Sequence, residues 1–120
     1  MRDVVVGELA AQGHAVTVSD LYAMGFDPVA SGADFLQRKD PDYLVYALEQ
    51  RHALAQGALH PDIRREVDRV LAADVIAFTF PLFWFGVPAM MKGWLERVFL
   101  SDTFYGGTRI YGNGGLAGKR

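Results

Sequence analysis

The residues that most suggest chemistry are Phe80, Pro81, Leu82, Phe83, Trp84, Phe85 and Gly86. Four of these seven are aromatic, and Pro88 follows as a helix starter. A loop of this kind suits a flat conjugated ring. Its main-chain N–H groups can bond the polar ring edge, and its aromatic faces can stack on the ring and exclude water. Gly86 is expected to make the sharp turn. The competing reading is that the aromatics are core, or a buried interface between subunits. No residue stands out as a general acid or base, so no catalytic residue is assigned. His14, His52 and His60 lack metal-ligand spacing and read as surface or capping residues. There is no cysteine, so no disulfide or thiolate metal site is expected.

Such a loop must be presented by regular elements, and the sequence supplies them. Residues 2–12 read as a helix closed by Gly13, and residues 14–19 alternate as a strand. A long connection, residues 20–41, follows; one of that length is usually functional or interface-forming. Its Leu21, Tyr22, Met24 and Phe26 suggest an inter-subunit contact. Residues 42–56 read as a helix ended by Gly57, and another begins at Pro61 with Asp62 in its first turn. Ile63, Val67, Val70 and Leu71 form its apolar stripe. Asp62, Arg64, Arg65, Glu66, Asp68 and Arg69 read as its solvated face.

Residues 75–80 are almost continuously apolar, as in a strand covered on both faces of a parallel sheet. Residues 89–100 make another helix. Trp94 reads as core, and Lys92 with Glu96 as a surface ion pair. The tail is glycine-rich loop. The alternation predicts an α/β doubly wound parallel sheet that binds ligands beyond the C-terminal ends of its strands, which is where the aromatic loop falls. Only two strands are visible where about four to six are usual, so the chain reads as a partial domain, cut at both ends.

The composition agrees with a globular chain: 120 residues, 51% hydrophobic and 22% charged. The net charge of -2 and pI near 5.8 give no support to nucleic-acid binding. The longest apolar run is broken by Thr79, Pro81, Gly86 and Pro88, so no membrane insertion is expected. A cytoplasmic location is expected.

Three stretches carry a resemblance. FPLFWFGVPAMMKGWLERVF at 80–99, SDLYAMGFDPVAS at 19–31 and QGALHPDI at 56–63 are collinear. Together they resemble the NAD(P)H:quinone oxidoreductase family, DT-diaphorase and its bacterial relatives. The resemblance implies a flavodoxin-like fold, a homodimer, and FAD as cofactor, with FMN the alternative seen in bacterial relatives. It implies hydride transfer from NAD(P)H through the flavin to a quinone.

By the same resemblance Pro81, Leu82, Phe83, Trp84 and Phe85 bind the flavin ring, with the main-chain amides from Leu82 to Phe85 facing its edge. Trp84 and Phe85 also wall the substrate pocket. Tyr105, flanked by Phe104 and Gly106, closes the pocket of a neighbouring subunit. Phe83 stands where some members carry glutamine. The family's phosphate-binding first strand has no counterpart here, nor does its Thr-Gly-Gly loop with the Tyr and His beyond it. Two other readings stand beside this one: a flavin-binding ancillary subunit of a potassium-efflux system, and an inactive fragment.

Overall fold

The structure, a computed structural model, describes residues 1–120. Four α-helices run in chain order: α1 Arg2–Ala11, α2 Tyr46–Gln56, α3 Pro61–Ala72 and α4 Ala89–Val98. Short 3-10 turns occupy Gly32–Asp34 and Tyr111–Asn113. The local reasons are legible at several ends. α2 stops at Gly57, whose φ of 64° and ψ of 27° suit a residue without Cβ. There Gly57 N bonds Leu54 O at 3.4 Å and Ala58 N bonds Ala53 O at 2.7 Å, the paired bonds of a Schellman motif. α3 opens on Pro61, and Asp62 accepts from Ile63 N at 2.6 Å. α2 begins at Tyr46, four residues later than its sequence suggests. The Asp40 carboxylate accepts from Asp42 N and Tyr43 N and holds that stretch as a turn instead.

α3 and α4 pack against each other, and the core lies along their seam. Ile63, Val67 and Val70 of α3 meet Trp94 and Val98 of α4, with Phe26, Phe35, Leu59, Leu100 and Phe104 filling around them. Leu71, expected on that stripe, is exposed. The charged face expected on α3 is likewise only partly solvated. Glu66 is fully buried, accepting from Trp94 Nε1 at 3.1 Å and from Arg69 Nη1 at 2.9 Å. A buried carboxylate is tolerable only with such partners.

The connection at 20–41 folds back on its own chain. Phe26 is buried and Leu21 packs on the core, so neither stands out as an inter-subunit contact, although Tyr22 is exposed. Arg97 holds the connection down. Its guanidinium bonds Asp34 at 2.8 and 3.1 Å, Asp62 at 3.2 Å and the Asp27 carbonyl at 2.5 Å, and lies 4.9 Å over the Phe26 ring. Tyr46 donates its hydroxyl to Asp34. Burial first, then the Asp34 carboxylate, pushes the Tyr46 hydroxyl pKa far up, so it remains a donor.

The two segments expected as strands form no ladder with each other. Residues 14–19 and 75–80 are neither helical nor paired together, and Val75 and Phe78 are exposed where covered faces were expected. The main-chain pairing of the second segment is to the tail. Arg120 N bonds Asp74 O at 2.9 Å and Ile76 N bonds Arg120 O at 2.8 Å. Two bonds straddling Val75 in this sense are the repeat of a parallel pair. Lys119 Nζ reinforces that register by bonding Leu71 O and Ala73 O at the end of α3.

Candidate functional site

The aromatic loop is a hairpin with a two-residue tip. Phe83 N bonds Gly86 O at 3.2 Å and Gly86 N bonds Phe83 O at 3.0 Å. Trp84 and Phe85 form the tip with φ of 48° and 63°, the pair of positive values that marks a type I′ turn. The tip itself turns the chain. Gly86 is not in the left-handed region, and a Cβ there would meet only Phe83 O at 3.8 Å. The expectation that Gly86 supplies the turn is therefore corrected. Bulky residues at positive φ are rare, and each costs about 1–2 kcal/mol. Strain of this kind tends to persist at ligand sites.

The side chains at this tip are not core. Trp84 and Phe85 are 96% and 101% exposed, and Leu82 and Phe83 are also exposed. The main-chain amides of Leu82, Trp84 and Phe85 donate to no protein acceptor. Pro81 has no N–H, so three free donors and two free aromatic faces lie within four residues. Main-chain donors rarely go unpaired except to water or a ligand.

Two segments flank α4 and are tied to it by stacked rings. Phe78 meets Trp94 edge-on at 5.9 Å, Trp94 meets Phe99 at 5.6 Å, and Phe99 meets Phe104 at 5.2 Å. One end of this stack precedes the hairpin, and the other precedes Tyr105. Phe104 is thus a core residue whose ring also lines a cavity. Tyr105 is half exposed, and its carbonyl accepts from Asp102 N at 2.6 Å. Gly106 has φ of 100°, and a Cβ there would crowd Arg51 Nη2 at 3.1 Å and Ser101 Oγ at 3.3 Å, so glycine is needed.

Tyr105 borders two open cavities. One, of about 540 Å³, is lined by Phe104, Tyr105, Arg109, Ile110, Tyr111, Gly114, Leu116 and Ala117. The other, of about 710 Å³, lies between Ala30, Tyr46, Gln50, Lys92, Phe99 and Tyr105. None of Pro81, Leu82, Phe83, Trp84 and Phe85 lines either one. Within one chain, the two groups of expected site residues are not brought together.

Sequence reasoning overlooked Arg97 and Arg109. Arg97 had a signal, since it lies three and four residues from Trp94 and Gly93 on the buried face of a helix. Arg109 had none beyond the glycine pair before it. The expected Lys92–Glu96 pair forms. His60 precedes α3 and contacts Asp62, and among all residues no cluster of metal-ligating side chains forms.

The family model of the flavodoxin-like fold matches residues 1–120. The chain belongs to the flavodoxin-like family. The NAD(P)H dehydrogenase [quinone] 1 of Cavia porcellus is 43% identical over 121 residues, covering 100% of this flavodoxin-like chain and 44% of that protein. The human (Homo sapiens) ribosyldihydronicotinamide dehydrogenase [quinone] is 41% identical over 120 residues, covering 99% and 52%. A crystal structure from Klebsiella pneumoniae, of a protein assigned as a quinone reductase, superposes with a TM-score of 0.88 at 35% identity. It covers 99% of this chain and 49% of that one. The chain spans about half the length of the curated relatives it matches. The fold expected from the alternation of elements is therefore the fold it has, although few of its main-chain groups are laddered.

Proposed function

We propose that this chain carries the flavin-loop part of an NAD(P)H:quinone oxidoreductase. One observation supports the reading above the others: the strained hairpin at Trp84 and Phe85, with its free amides and bare rings. A flavin ring fits this donor set, because its polar edge needs several N–H donors and its faces need apolar cover. Leu82, Trp84 and Phe85 would donate from the main chain, and Pro81 and Phe83 would fix the hairpin base. When bound, the flavin supplies the acceptance and donation of hydride between NAD(P)H and the quinone.

The protein's own part is positioning and exclusion of water. The Trp84 and Phe85 rings would cover the flavin and exclude water, and the ring stack through Trp94 would set where the hairpin stands. Tyr105 would close the pocket from a second subunit, with Phe104 and Gly106 holding it in place. That assignment accounts for the separation of Tyr105 from the hairpin within one chain. FAD is the expected cofactor, with FMN the alternative, in a cytoplasmic homodimer. No helix is long and apolar enough to cross a membrane. No side chain at the hairpin tip titrates, so proton delivery is not assigned to this chain.

The test is direct. The purified protein is mixed with FAD or FMN, desalted, and its visible spectrum recorded. NADH- and NADPH-dependent reduction of 2-methyl-1,4-naphthoquinone is then followed. Retained flavin with quinone reduction is the expected result. A protein that stays colourless with both cofactors overturns the assignment.

A further inference from the structure

The 540 Å³ cavity beside Tyr105 holds one charged residue, Arg109. Its other lining is apolar or aromatic, with Phe104, Tyr105, Ile110, Tyr111 and Leu116 around it. Arg51 and Arg97 are engaged elsewhere. Arg51 bonds Ser101 at 3.0 Å, and Arg97 is saturated by Asp34, Asp62 and Asp27. The Arg109 guanidinium makes no hydrogen bond and no ion pair with the protein. Its backbone is nevertheless pinned. Arg109 N bonds Gly106 O at 3.0 Å across a turn through Gly106 and Gly107, both at positive φ. That turn returns the chain so that Arg109 faces the same cavity as Tyr105. Tyr111, with φ of 49°, is held in a strained conformation on the same wall.

From this we infer that Arg109 is a specificity-determining residue that selects planar aromatic acceptors bearing an anionic group, such as a sulfonate or carboxylate. The inference rests on the proposed quinone-reductase reading and deepens it. The chemistry follows from the lining. Tyrosine and phenylalanine rings offer stacking to a flat ring of any charge. The unpaired Arg109 guanidinium offers a two-pronged contact to an oxyanion at the ring's margin. The wall lacks a carboxylate that would otherwise neutralise Arg109 or repel the ligand. A neutral quinone uses the rings alone, and an anionic one uses both.

The experiment compares 1,4-naphthoquinone-2-sulfonate with neutral 2-methyl-1,4-naphthoquinone. Equilibrium binding is read by quenching of intrinsic fluorescence in the flavin-loaded protein, and KM is read separately. Wild type, Arg109→Met and Arg109→Lys are compared at low and high salt. Arg109→Met should weaken the sulfonate roughly three- to fivefold, as for one exposed charge contact. It should leave the neutral quinone within about twofold, since only the charge contact is removed. Arg109→Lys should restore part of the loss, and added salt should shrink the wild-type preference. Equal losses for both quinones in Arg109→Met, or no wild-type preference for the sulfonate, overturns the inference. If both quinones are still reduced, the quinone-reductase reading survives that failure. A protein that neither holds flavin nor reduces either quinone fails that reading instead.

Discussion

Replacing Gly93 by alanine tests the tightest packing in the molecule. Gly93 lies in α4 and is buried against the connection at 20–41. A Cβ built there would lie 2.1 Å from Pro28 O and 2.5 Å from Pro28 Cα and Cβ. A comfortable carbon–oxygen contact is about 3.3 Å, so the two segments must separate by roughly 1 Å. Pro28 has little room to retreat, because the adjacent Asp27 carbonyl is bonded to Arg97 Nη1 at 2.5 Å. Two terms then compete. Alanine gains up to about 1 kcal/mol over glycine in a helix interior. Overpacking against backbone costs about 1–3 kcal/mol or more. The net expectation is a loss of about 1–2 kcal/mol, or a fall in Tm of roughly 3–8 °C for a chain of this size. The control is Gly7→Ala, in exposed α1, where a Cβ would meet nothing within 4 Å. It feels only the helix-forming term and should be neutral or stabilising. Melting followed by circular dichroism decides the matter. A Gly93→Ala protein that melts with or above the wild type refutes the close approach.

Three further outcomes follow from the same geometry. Arg97→Met leaves the enclosed Asp34 carboxylate without its cation and should cost about 3–5 kcal/mol in urea unfolding, part of it recovered by adding Asp34→Asn. Stability should fall with acid through Asp62. Burial pushes its carboxyl up, but His60, the Arg97 charge and the Ile63 amide together outweigh burial and hold it below the usual carboxylate range. A depressed folded-state pKa gives a contribution complete above about pH 5 and lost as pH falls below about 4, so urea midpoints should drop across that window, less so in Asp62→Asn. Trp84→Phe should change stability by under about 0.5 kcal/mol in urea unfolding, because the side chain is in solvent.

The parts legible in the sequence are those whose cause is local. The glycine that closes α2, the proline that opens α3 and the apolar positions Ile63, Val67 and Val70 each carry their signal within a turn or two. The start of α2 was misplaced because a single side chain, Asp40, outbid helix propensity for two amides. The hairpin tip was misread for a related reason: Trp-Phe is not the Asn-Gly pair that announces a type I′ turn, so the turn was assigned to Gly86. Strand pairing was the least legible, because a ladder belongs to two segments at once, and residues 75–80 find a main-chain partner only in Arg120.

Alongside these local causes, several contacts from segments far along the chain end on α4. Arg97 reaches Asp27, Asp34 and Asp62, Gly93 receives Pro28, and Trp94 joins Glu66, Phe78 and Phe99. α4 begins three residues after the hairpin, at Ala89. A tip that holds Trp84 and Phe85 at positive φ must be braced by something that does not yield, since about 1–2 kcal/mol of strain per residue would otherwise relax. The polar cluster around Arg97 fixes α4 from three directions, and so anchors the helix that begins three residues after the hairpin.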